Sequence, residues 1–162
     1  MFTQAQLQTI LDYNPATGIF KWRYSRRGAP KGWRAGSITS NGYRVIRLHG
    51  VLYLEHRLAW FYVYGTWPPK YIDHKNRAKT NNSIAELRLA TQSKNMANAT
   101  RPKTNTSGYK GVSFHRGAGR WMAGIKVNKK AIYLGLFNTP QQAHAAYVAA
   151  AKQHYGAFAR FV

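Results

Sequence analysis

The sequence predicts an α+β protein made of two small regions of sheet and helix in series. Short segments of alternating apolar residues, bounded by glycine, asparagine or proline, predict strands of a few residues each. Other segments begin with capping residues and carry apolar residues at helical spacing, which predicts helices. Hydrophobic residues make up 44% of the chain and aromatic residues 14%, so a packed core is expected in spite of the high charge.

Charge is the dominant feature of the composition. The 162 residues include 25 lysines and arginines and only 4 acids, which gives a net charge of +21. Self-repulsion at this density opposes compaction, so the expected partner is a polyanion, with nucleic acid as the first choice. A ribosomal-type role and a role at a membrane surface are the alternatives.

The composition also bears on the cellular compartment. The chain has no cysteine, which excludes disulfides and thiolate zinc sites and fits a reducing interior. No apolar run reaches the roughly 18 residues of a membrane span, and the N-terminus has no signal-peptide core. We therefore expect a cytoplasmic protein that is not secreted and has no membrane partner.

Local patterns in the N-terminal part predict one helix and three strands. Thr3–Gln6 has the form of a capping box, and Leu7, Ile10 and Leu11 recur at helical spacing until Asn14-Pro15 ends the pattern. The predicted elements are a helix that begins at the capping box and is stopped by Asn14-Pro15 and Gly18, a strand over 18–24, and a hairpin of two strands over 43–48 and 51–54.

Two further segments stay open on local evidence. The run 55–64 is rich in aromatic residues, so a strand and a helix fit it equally well. The segment from Arg26 to Arg34 is basic, broken by glycine and without periodicity. It is either a solvated loop or a segment that binds backbone phosphates through the basic residues that flank Trp33.

The central stretch carries the residues most suited to catalysis. Asp73 and His74 are adjacent and follow a short apolar entry. Side chains of neighbouring strand residues point to opposite faces, so one can hold a metal while the other faces substrate. Thr91 is suited to cap a helix and places Asn95 about one turn inside it. A carboxylate and an amide oxygen are the hard ligands that Mg²⁺ prefers.

This stretch resembles the HNH nuclease motif, the ββα-metal finger, in its phage and intron-homing form. The resemblance rests on Ile72-Asp73-His74, on the segment 81–88 and on Asn95, and it covers about 56–98. It implies that 55–64 is a buried helix, with His56 a structural residue of its H-R-L opening. It also implies a cytoplasmic site of action in a bacterial host cell.

The resemblance further implies the roles of individual residues. His74 would be the general base, and Asp73 and Asn95 would bind Mg²⁺, for which Mn²⁺ can substitute. Glu86 stands where the family has the asparagine that holds the catalytic loop, and a carboxylate can accept backbone hydrogen bonds but cannot donate them. Asn82 and Glu86 are therefore the expected loop-orienting residues, and cation binding by Glu86 is the alternative.

The chain changes character after the nuclease-like segment. A polar, basic segment predicts a linker over 101–106. Three strands separated by glycine and asparagine turns are predicted over 109–115, 120–127 and 131–137. A capping box at Thr139–Gln142 begins an alanine-rich helix, and Gly156 follows its end. The expected product is a three-stranded antiparallel sheet packed on one helix.

This second part resembles the AP2/ERF DNA-binding domain. The matching blocks are Ser107–Val112, Gly119–Ile125, Tyr133–Phe137 and Thr139–Tyr147. The family's sheet lies in the DNA major groove, so Trp121, Ala123, Ile125 and Val127 should face the helix while the other face meets DNA. The implied domains are 1–100, with the nuclease core at 56–98, and 107–162. The expected DNA contacts across both domains are Lys75, Arg77, Lys110, His115, Arg116, Arg120, Lys126, Lys129, Lys130 and Tyr133.

The combined hypothesis is a metal-dependent, site-preferring DNA endonuclease of the homing-endonuclease type. Its partner would be double-stranded DNA, with no small-molecule cofactor beyond the metal, and its oligomeric state stays open. One alternative is a DNA-binding regulator whose HNH domain is degenerate and inactive. Glu86, in place of the family's asparagine, would then be a sign of that degeneration. Another is an RNA-binding or ribosome-associated protein, which only the charge favours.

Overall fold

The computed structural model describes residues 2–162, which divide into two compact units between Leu89 and Ala90. Small antiparallel sheets and a few helices make up both units, so the predicted α+β class is confirmed. The second unit begins before the expected linker and includes the helix that carries Asn95. The domain bounds 1–100 and 107–162 stay a prediction.

The elements of the N-terminal part alternate between short strands and two helices. In chain order they are α1 (Gln4–Ile10), β1 (Leu11–Asn14), β2 (Ile19–Trp22), β3 (Ser37–Ile38), β4 (Arg44–Leu48), β5 (Val51–Leu54), α2 (Glu55–Tyr64), β6 (Tyr71–His74) and β7 (Leu87–Ala90). The elements that follow are α3 (Gln92–Asn98), β8 (Val112–His115), β9 (Arg120–Val127), β10 (Lys130–Phe137) and α4 (Pro140–Tyr155).

The capping box predicted for α1 is present, because the Thr3 side chain accepts from the Gln6 amide and the Gln6 side chain accepts from Thr3. The helix was predicted to continue to Asn14-Pro15, but it ends at Ile10, since Leu11 has extended backbone angles and begins β1, a strand that was not predicted. Leu11 lies opposite Trp22 in the antiparallel β1–β2 pair, and both side chains are buried. Tertiary burial in a strand therefore outweighs the helical spacing of Leu11.

The predicted hairpin is formed by β4 and β5, with β3 on the other edge of β4. The run 55–64 is a helix, α2, as the family resemblance implied, and it ends at Gly65 with a left-handed φ of 71°. Glu55 and His56 lie on the buried face of α2 together with Leu58. Two polar side chains are therefore carried into the interior at the start of this helix.

The core of the first unit is aliphatic and aromatic. Phe61 and Trp67 stack with ring centroids 4.4 Å apart, and Phe2 meets both rings edge-on. Strands β6 and β7 form a separate two-stranded pair, connected through the 3-10 turn Ile84–Glu86. The buried members of the core are Leu7, Leu11, Tyr13, Phe20, Trp22, Ala35, Ile46, Leu48, Leu58, Ala59, Phe61, Ile72 and Leu87.

In the second unit β9 is the central strand, with β8 and β10 antiparallel on either side and α4 packed against the sheet. The capping box of α4, from Thr139 to Gln142, is present, and Gly156 follows the helix. Ala123 and Ile125 are buried, while Trp121 and Val127 pack at the edges of the core, so the predicted inward set is confirmed.

The first strand of that sheet begins at Val112, three residues later than predicted. Gly108 and Gly111 have φ of 79° and 76°, which a strand cannot contain. The Ser107 hydroxyl donates to the carbonyls of Tyr109 and Val112, and this closes a turn instead. A Cβ on Gly111 would lie 2.0 Å from the Tyr147 ring, so the turn packs directly on α4.

Candidate active site

His74 lies at the end of β6 and its side chain is buried. Its Nε2 is 2.9 Å from Oδ1 of Asn82, and Nδ2 of the same asparagine donates to Oε2 of Glu55 over 2.6 Å. Asn82 and Glu55 have no exposed surface. The imidazole therefore sits at the end of a buried, three-residue chain of hydrogen bonds.

The backbone of Asn82 is held from two sides. The Tyr13 hydroxyl donates to the Asn82 carbonyl over 2.7 Å. Gly18, at a φ of 72°, lies so close that a Cβ there would be 2.2 Å from the Asn82 carbonyl carbon and from the Ser83 nitrogen. The hairpin of β1 and β2 thus fixes the loop that supplies the partner of His74.

Glu55 is the first residue of α2 and faces inward. Burial raises the pKa of the Glu55 carboxyl to about 7, against the hydrogen bond from Asn82 and the charges of Arg34 and Arg44, which lower it. The Arg44 Nε lies 3.7 Å from Oε2. The sequence analysis did not single out Glu55, because its role depends on a partner 27 residues away.

Two further rings surround His74. His56 meets it edge-on, with ring centroids 5.1 Å apart, and Tyr43 lies 6.2 Å away by the same measure. Burial lowers the pKa of His56 to about 3, and the neighbouring His74 and Arg57 shift it in the same direction. A neutral, buried His56 is consistent with the structural role expected for the H-R-L opening.

Asp73 is also buried, and it is paired with Arg88 of β7. Arg88 Nε is 2.8 Å and Nη2 is 2.7 Å from Oδ2 of Asp73. Arg88 belongs to the quoted motif but was not proposed as a site residue. Arg88 lies two residues after Glu86, in β7. Its contact with Asp73 could be predicted only once the pairing of β6 with β7 is known.

The loop after His74 is tied to the 3-10 turn before β7. The Glu86 carboxylate accepts from the Asn76 amide over 3.1 Å, and the Glu86 carbonyl accepts from the Lys75 amide over 2.9 Å. The Lys75 ammonium donates to the Ala85 carbonyl. Arg77 is exposed, with a φ of 63°. Glu86 is therefore in position to hold this loop through acceptor contacts alone.

Asn95 lies on α3, in the second unit. The Thr91 side chain accepts from the Lys94 amide, so the predicted N-cap is confirmed. Among residues 2–162, no three histidine, cysteine or acidic side chains are grouped as a metal site. The proposed donor set, one carboxylate and one amide, stays a prediction.

The residues predicted to contact DNA divide into two groups by placement. His115 pairs with Arg120, Gly124 with Tyr133 and Lys126 with Ala131, and paired residues share a face of the sheet. His115, Arg120, Lys126 and Tyr133 are therefore on the face away from the buried Ala123, and all four are exposed. Arg116, Lys129 and Lys130 are exposed in the adjoining turns.

Lys110 is placed differently. Its ammonium donates to the carbonyls of Ala97 and Ala99 over 2.6 Å each. These carbonyls lie at the C-terminal end of α3, where a cation is stabilised by unpaired carbonyl groups and the helix dipole. The Lys110 ammonium thus makes structural contacts within its own unit.

Two stretches of the chain match known protein families. Residues 53–97 match the HNH endonuclease family, and residues 107–157 match the AP2 domain family. The first stretch is thus similar to HNH endonuclease domains and the second to AP2 domains. Both resemblances read from the sequence are confirmed.

Individual relatives match over parts of their length. The chain is 34% identical over 77 residues to Protein 3.8 of Escherichia phage T7, which covers 47% of this chain and 64% of that protein. A solved structure, "DNA binding and cleavage by the HNH homing endonuclease I-HmuI", is 17% identical, with 90% of this chain and 84% of that chain covered and a TM-score of 0.40.

The helices were also compared with what a bilayer requires. None of those within residues 2–162 combines the length and the apolar character of a transmembrane span.

Proposed function

We propose that this protein is a divalent-metal-dependent DNA endonuclease that prefers certain sites. The HNH domain would hydrolyse a phosphodiester, and the AP2 domain would bind duplex DNA beside the cut. The observation that carries the proposal is the placement of His74 and Asp73 at the end of β6, with His74 hydrogen-bonded to Asn82. An imidazole held in one orientation beside a carboxylate suits general-base catalysis.

His74 would act on the attacking water. As the water oxygen bonds to phosphorus, His74 takes its proton, and the bond from phosphorus to the 3′ oxygen breaks. The leaving oxygen takes a proton from solvent, and His74 returns its own proton to solvent. The buried contacts of Asn82 keep the ring from rotating during this cycle.

A magnesium ion would be held by Asp73 and Asn95. One carboxylate and one amide oxygen suit Mg²⁺, which commonly binds few protein ligands and completes its shell with water and phosphate oxygens. When bound, the ion supplies charge stabilisation for the phosphate and for the leaving oxygen. Arg88 contacts Asp73 through two nitrogens and would compete with the ion for the same carboxylate.

The AP2 domain would contribute more to the affinity for DNA than to the recognition of particular bases. On its exposed sheet face Ser113, Gly124 and Ala131 stand where plant-type members often have Arg or Glu. Fewer bidentate side chains leave fewer contacts to base edges, while Arg120 and Lys126 remain available to phosphates. The expected result is salt-sensitive binding with modest sequence preference.

The test is plasmid cleavage with Mg²⁺, with EDTA, and with His74→Ala. Cleavage should require the metal and disappear in His74→Ala, while the affinity for DNA stays near that of the wild type, because a base is removed and not a phosphate contact. His154→Ala is the matched control, since His154 is exposed on α4. Equal losses of binding and cutting in His74→Ala would contradict the assignment of His74.

The ligand assignment has its own measurement. Asp73→Ala and Asn95→Ala should each raise the Mg²⁺ concentration needed for half-maximal cleavage. Full activity of either variant at limiting Mg²⁺ would remove that residue from the ligand set. Binding of duplex without any cleavage at saturating Mg²⁺ would favour the regulator with an inactive HNH domain, for which the departure at Glu86 is the specific observation.

A further inference from the structure

We propose that the basic loop of the first unit, residues 26–34, binds unpaired nucleotides of DNA, with Trp33 stacked on a base and the neighbouring cations at backbone phosphates. Local sequence leaves this loop open between a solvated segment and a phosphate contact. The proposal goes beyond the endonuclease function and shares with it only DNA as the partner, because binding by the loop does not require cleavage.

Trp33 presents its ring to solvent. The residue is 62% exposed, whereas the other four tryptophans of the chain are buried or half-buried. An indole carries a large apolar face, and burial of that face against a flat partner is favourable. The Trp33 ring is therefore available to a planar ligand such as a nucleobase.

The backbone at Trp33 is fixed against β2. The Trp33 carbonyl accepts from the Trp22 amide over 3.0 Å, and the Trp22 carbonyl accepts from the Gly32 amide over 2.8 Å. The Ala35 amide then donates to the Phe20 carbonyl over 2.8 Å. Because the main chain is held in place before any ligand arrives, little loss of backbone freedom opposes binding at this position.

The other half of the loop is closed by its own hydrogen bonds. Arg26 and Ala29 exchange both backbone hydrogen bonds, at 3.0 and 2.9 Å, and the Ser25 hydroxyl accepts from the Lys31 amide over 3.1 Å. The Arg26 guanidinium lies over the Trp22 ring, 4.2 Å from its centroid. The cations of the loop are therefore carried on an ordered backbone.

The loop is a region of unopposed positive charge. All four of its cations, Arg26, Arg27, Lys31 and Arg34, are exposed, and the sequence has no acid from residue 13 to residue 54. Within residues 2–162, Arg27 and Lys31 form no ion pair. Their charges are thus available to an anionic partner, and phosphates next to a stacked base would supply one.

The combination of a ring with cations favours unpaired nucleotides over duplex. Inside a duplex the neighbouring bases cover both faces of each base, so an indole cannot stack there without opening the helix. An unpaired strand offers free base faces beside its phosphates, and proteins bind such strands through aromatic side chains next to positive charge. Trp33 should therefore matter for single-stranded DNA and not for duplex.

Two other roles of the loop make different predictions. A solvated loop would contribute only to the net charge, so changes at Trp33 would leave DNA binding as it is. A loop that binds an anionic lipid surface would need apolar area at Trp33 but no flat ring. Leucine would then serve almost as well as tryptophan, whereas stacking on a base requires an aromatic side chain.

The experiment measures binding of the full chain to a single-stranded oligothymidylate of about 12 nucleotides, and to the same strand paired with its complement. Trp33→Leu should weaken binding to the single strand about tenfold, as expected for one lost stacking contact, and leave binding to the duplex unchanged. Trp33→Phe keeps a ring and should retain most of the affinity. Tyr64→Leu is the matched control, because Tyr64 is 52% exposed on α2, outside the loop.

Fluorescence gives a direct readout of stacking. A base stacked on Trp33 should quench its emission, so the single strand should quench the wild type more than Trp33→Phe. The difference between the two proteins isolates Trp33 from the other tryptophans.

Salt dependence tests the cations. Replacing Arg27 and Lys31 together by alanine should make the slope of log K against log salt less steep by about 1.4 for the single strand, at roughly 0.7 for each phosphate contact. Lys70→Ala combined with Lys152→Ala is the control. It removes the same charge from exposed positions outside the loop and should leave the slope unchanged.

A loss of single-strand binding in Trp33→Leu, with duplex binding kept and with affinity retained in Trp33→Phe, supports the proposal. Unchanged single-strand binding in a folded Trp33→Leu overturns it, as does an equal loss with duplex. Wild-type binding to vesicles of phosphatidylserine and phosphatidylcholine, without binding to the single strand, would assign the loop to lipid and also overturn it. If Trp33→Leu does not fold, the salt slope of the double variant at Arg27 and Lys31 decides. If the protein binds DNA but does not cut it, the endonuclease function fails while these binding measurements still decide the role of the loop.

Discussion

Arg88 reaches Asp73 with two nitrogens, at 2.8 and 2.7 Å from the same carboxylate oxygen, and both side chains are largely buried. Removing one partner of such a pair leaves an uncompensated charge in a site of low polarity. The stability of the β6–β7 sheet therefore depends on Asp73, which is also the residue proposed to bind the metal.

Arg88→Ala should lower the free energy of unfolding by about 3–5 kcal/mol, because it removes both contacts of the guanidinium with the buried Asp73 carboxylate. Mg²⁺ should restore part of the loss if Asp73 binds it, since a ligand of the folded state stabilises that state. Chemical denaturation with and without Mg²⁺ measures both effects. Arg23→Ala is the control, because its pair with Asp12 is exposed and contributes less than about 1 kcal/mol. Equal losses in the two variants would contradict the importance of the buried pair.

Glu86→Asn, which restores the family's residue, should preserve or raise the cleavage rate. The wild-type carboxylate serves the loop as an acceptor for the Asn76 amide, and an asparagine oxygen can accept in the same way. Glu86→Ala removes the acceptor and should slow cleavage by about tenfold, as expected for one lost hydrogen bond of about 1.4 kcal/mol in the transition state. Single-turnover rates at limiting and saturating Mg²⁺ provide the measurement. A collapse of the rate in Glu86→Asn would indicate a separate role of Glu86, with cation binding as the first candidate.

The buried carboxyl of Glu55 should give stability a defined dependence on pH. Its pKa is raised by burial from 4.5 to about 7, so between these values the folded state holds a proton that the unfolded state has lost. Its contribution is fully present below pH 4.5 and is lost as pH rises through 7. The unfolding free energy of the wild type minus that of Glu55→Gln should therefore fall by roughly 3 kcal/mol across this window.

His56 adds a pH dependence of its own to the stability of the wild type, so the effect of Glu55 has to be measured as a difference from Glu55→Gln. Its pKa is lowered by burial from 6.5 to about 3, so its contribution is present above pH 6.5 and is lost as pH falls toward 3. The two groups thus oppose each other in the wild-type curve, and the difference between wild type and Glu55→Gln cancels the part due to His56. A difference that is flat from pH 4.5 to 7.5 would contradict the raised pKa of Glu55.

The exposed face of the AP2 sheet should determine how salt weakens DNA binding. Arg120 and Lys126 lie on that face, and each phosphate contact contributes roughly −0.9 to the slope of log K against log salt. Replacing both by alanine in the full chain should make the slope less steep by about two. Lys152→Ala removes a cation from α4 and serves as the control. A slope that is unchanged in the double variant and altered in the control would place the DNA contact on another surface.

Much of the fold was accessible from local patterns. The capping boxes at Thr3 and Thr139 lie within four residues of sequence, and both form. Alternation along 120–127 identified the buried face of β9, because neighbouring strand residues point to opposite sides. The spacing of Asp73, His74 and Asn95 indicated the nuclease family, which the match over 53–97 confirms.

The errors occurred where a local pattern competed with a distant contact. Leu11 has helical spacing, yet its burial opposite Trp22 places it in a strand. The start of β8 was predicted too early, because Ser107 closes a turn through two carbonyls that no sequence pattern identifies. The contacts of the Lys110 ammonium with two carbonyls at the end of α3 were likewise not predicted, and its contact with DNA stays a prediction.

What the sequence by itself determined is most of the helices and strands, the two family resemblances and the candidate base, because helix caps, strand alternation and motif spacing depend on neighbours in the chain. Only the tertiary structure decided the partners of that base. Glu55 meets Asn82 and Arg88 meets Asp73 through packing of segments 27 and 15 residues apart. Contacts at such separations depend on how whole elements fold against each other, and short-range sequence preferences do not specify them.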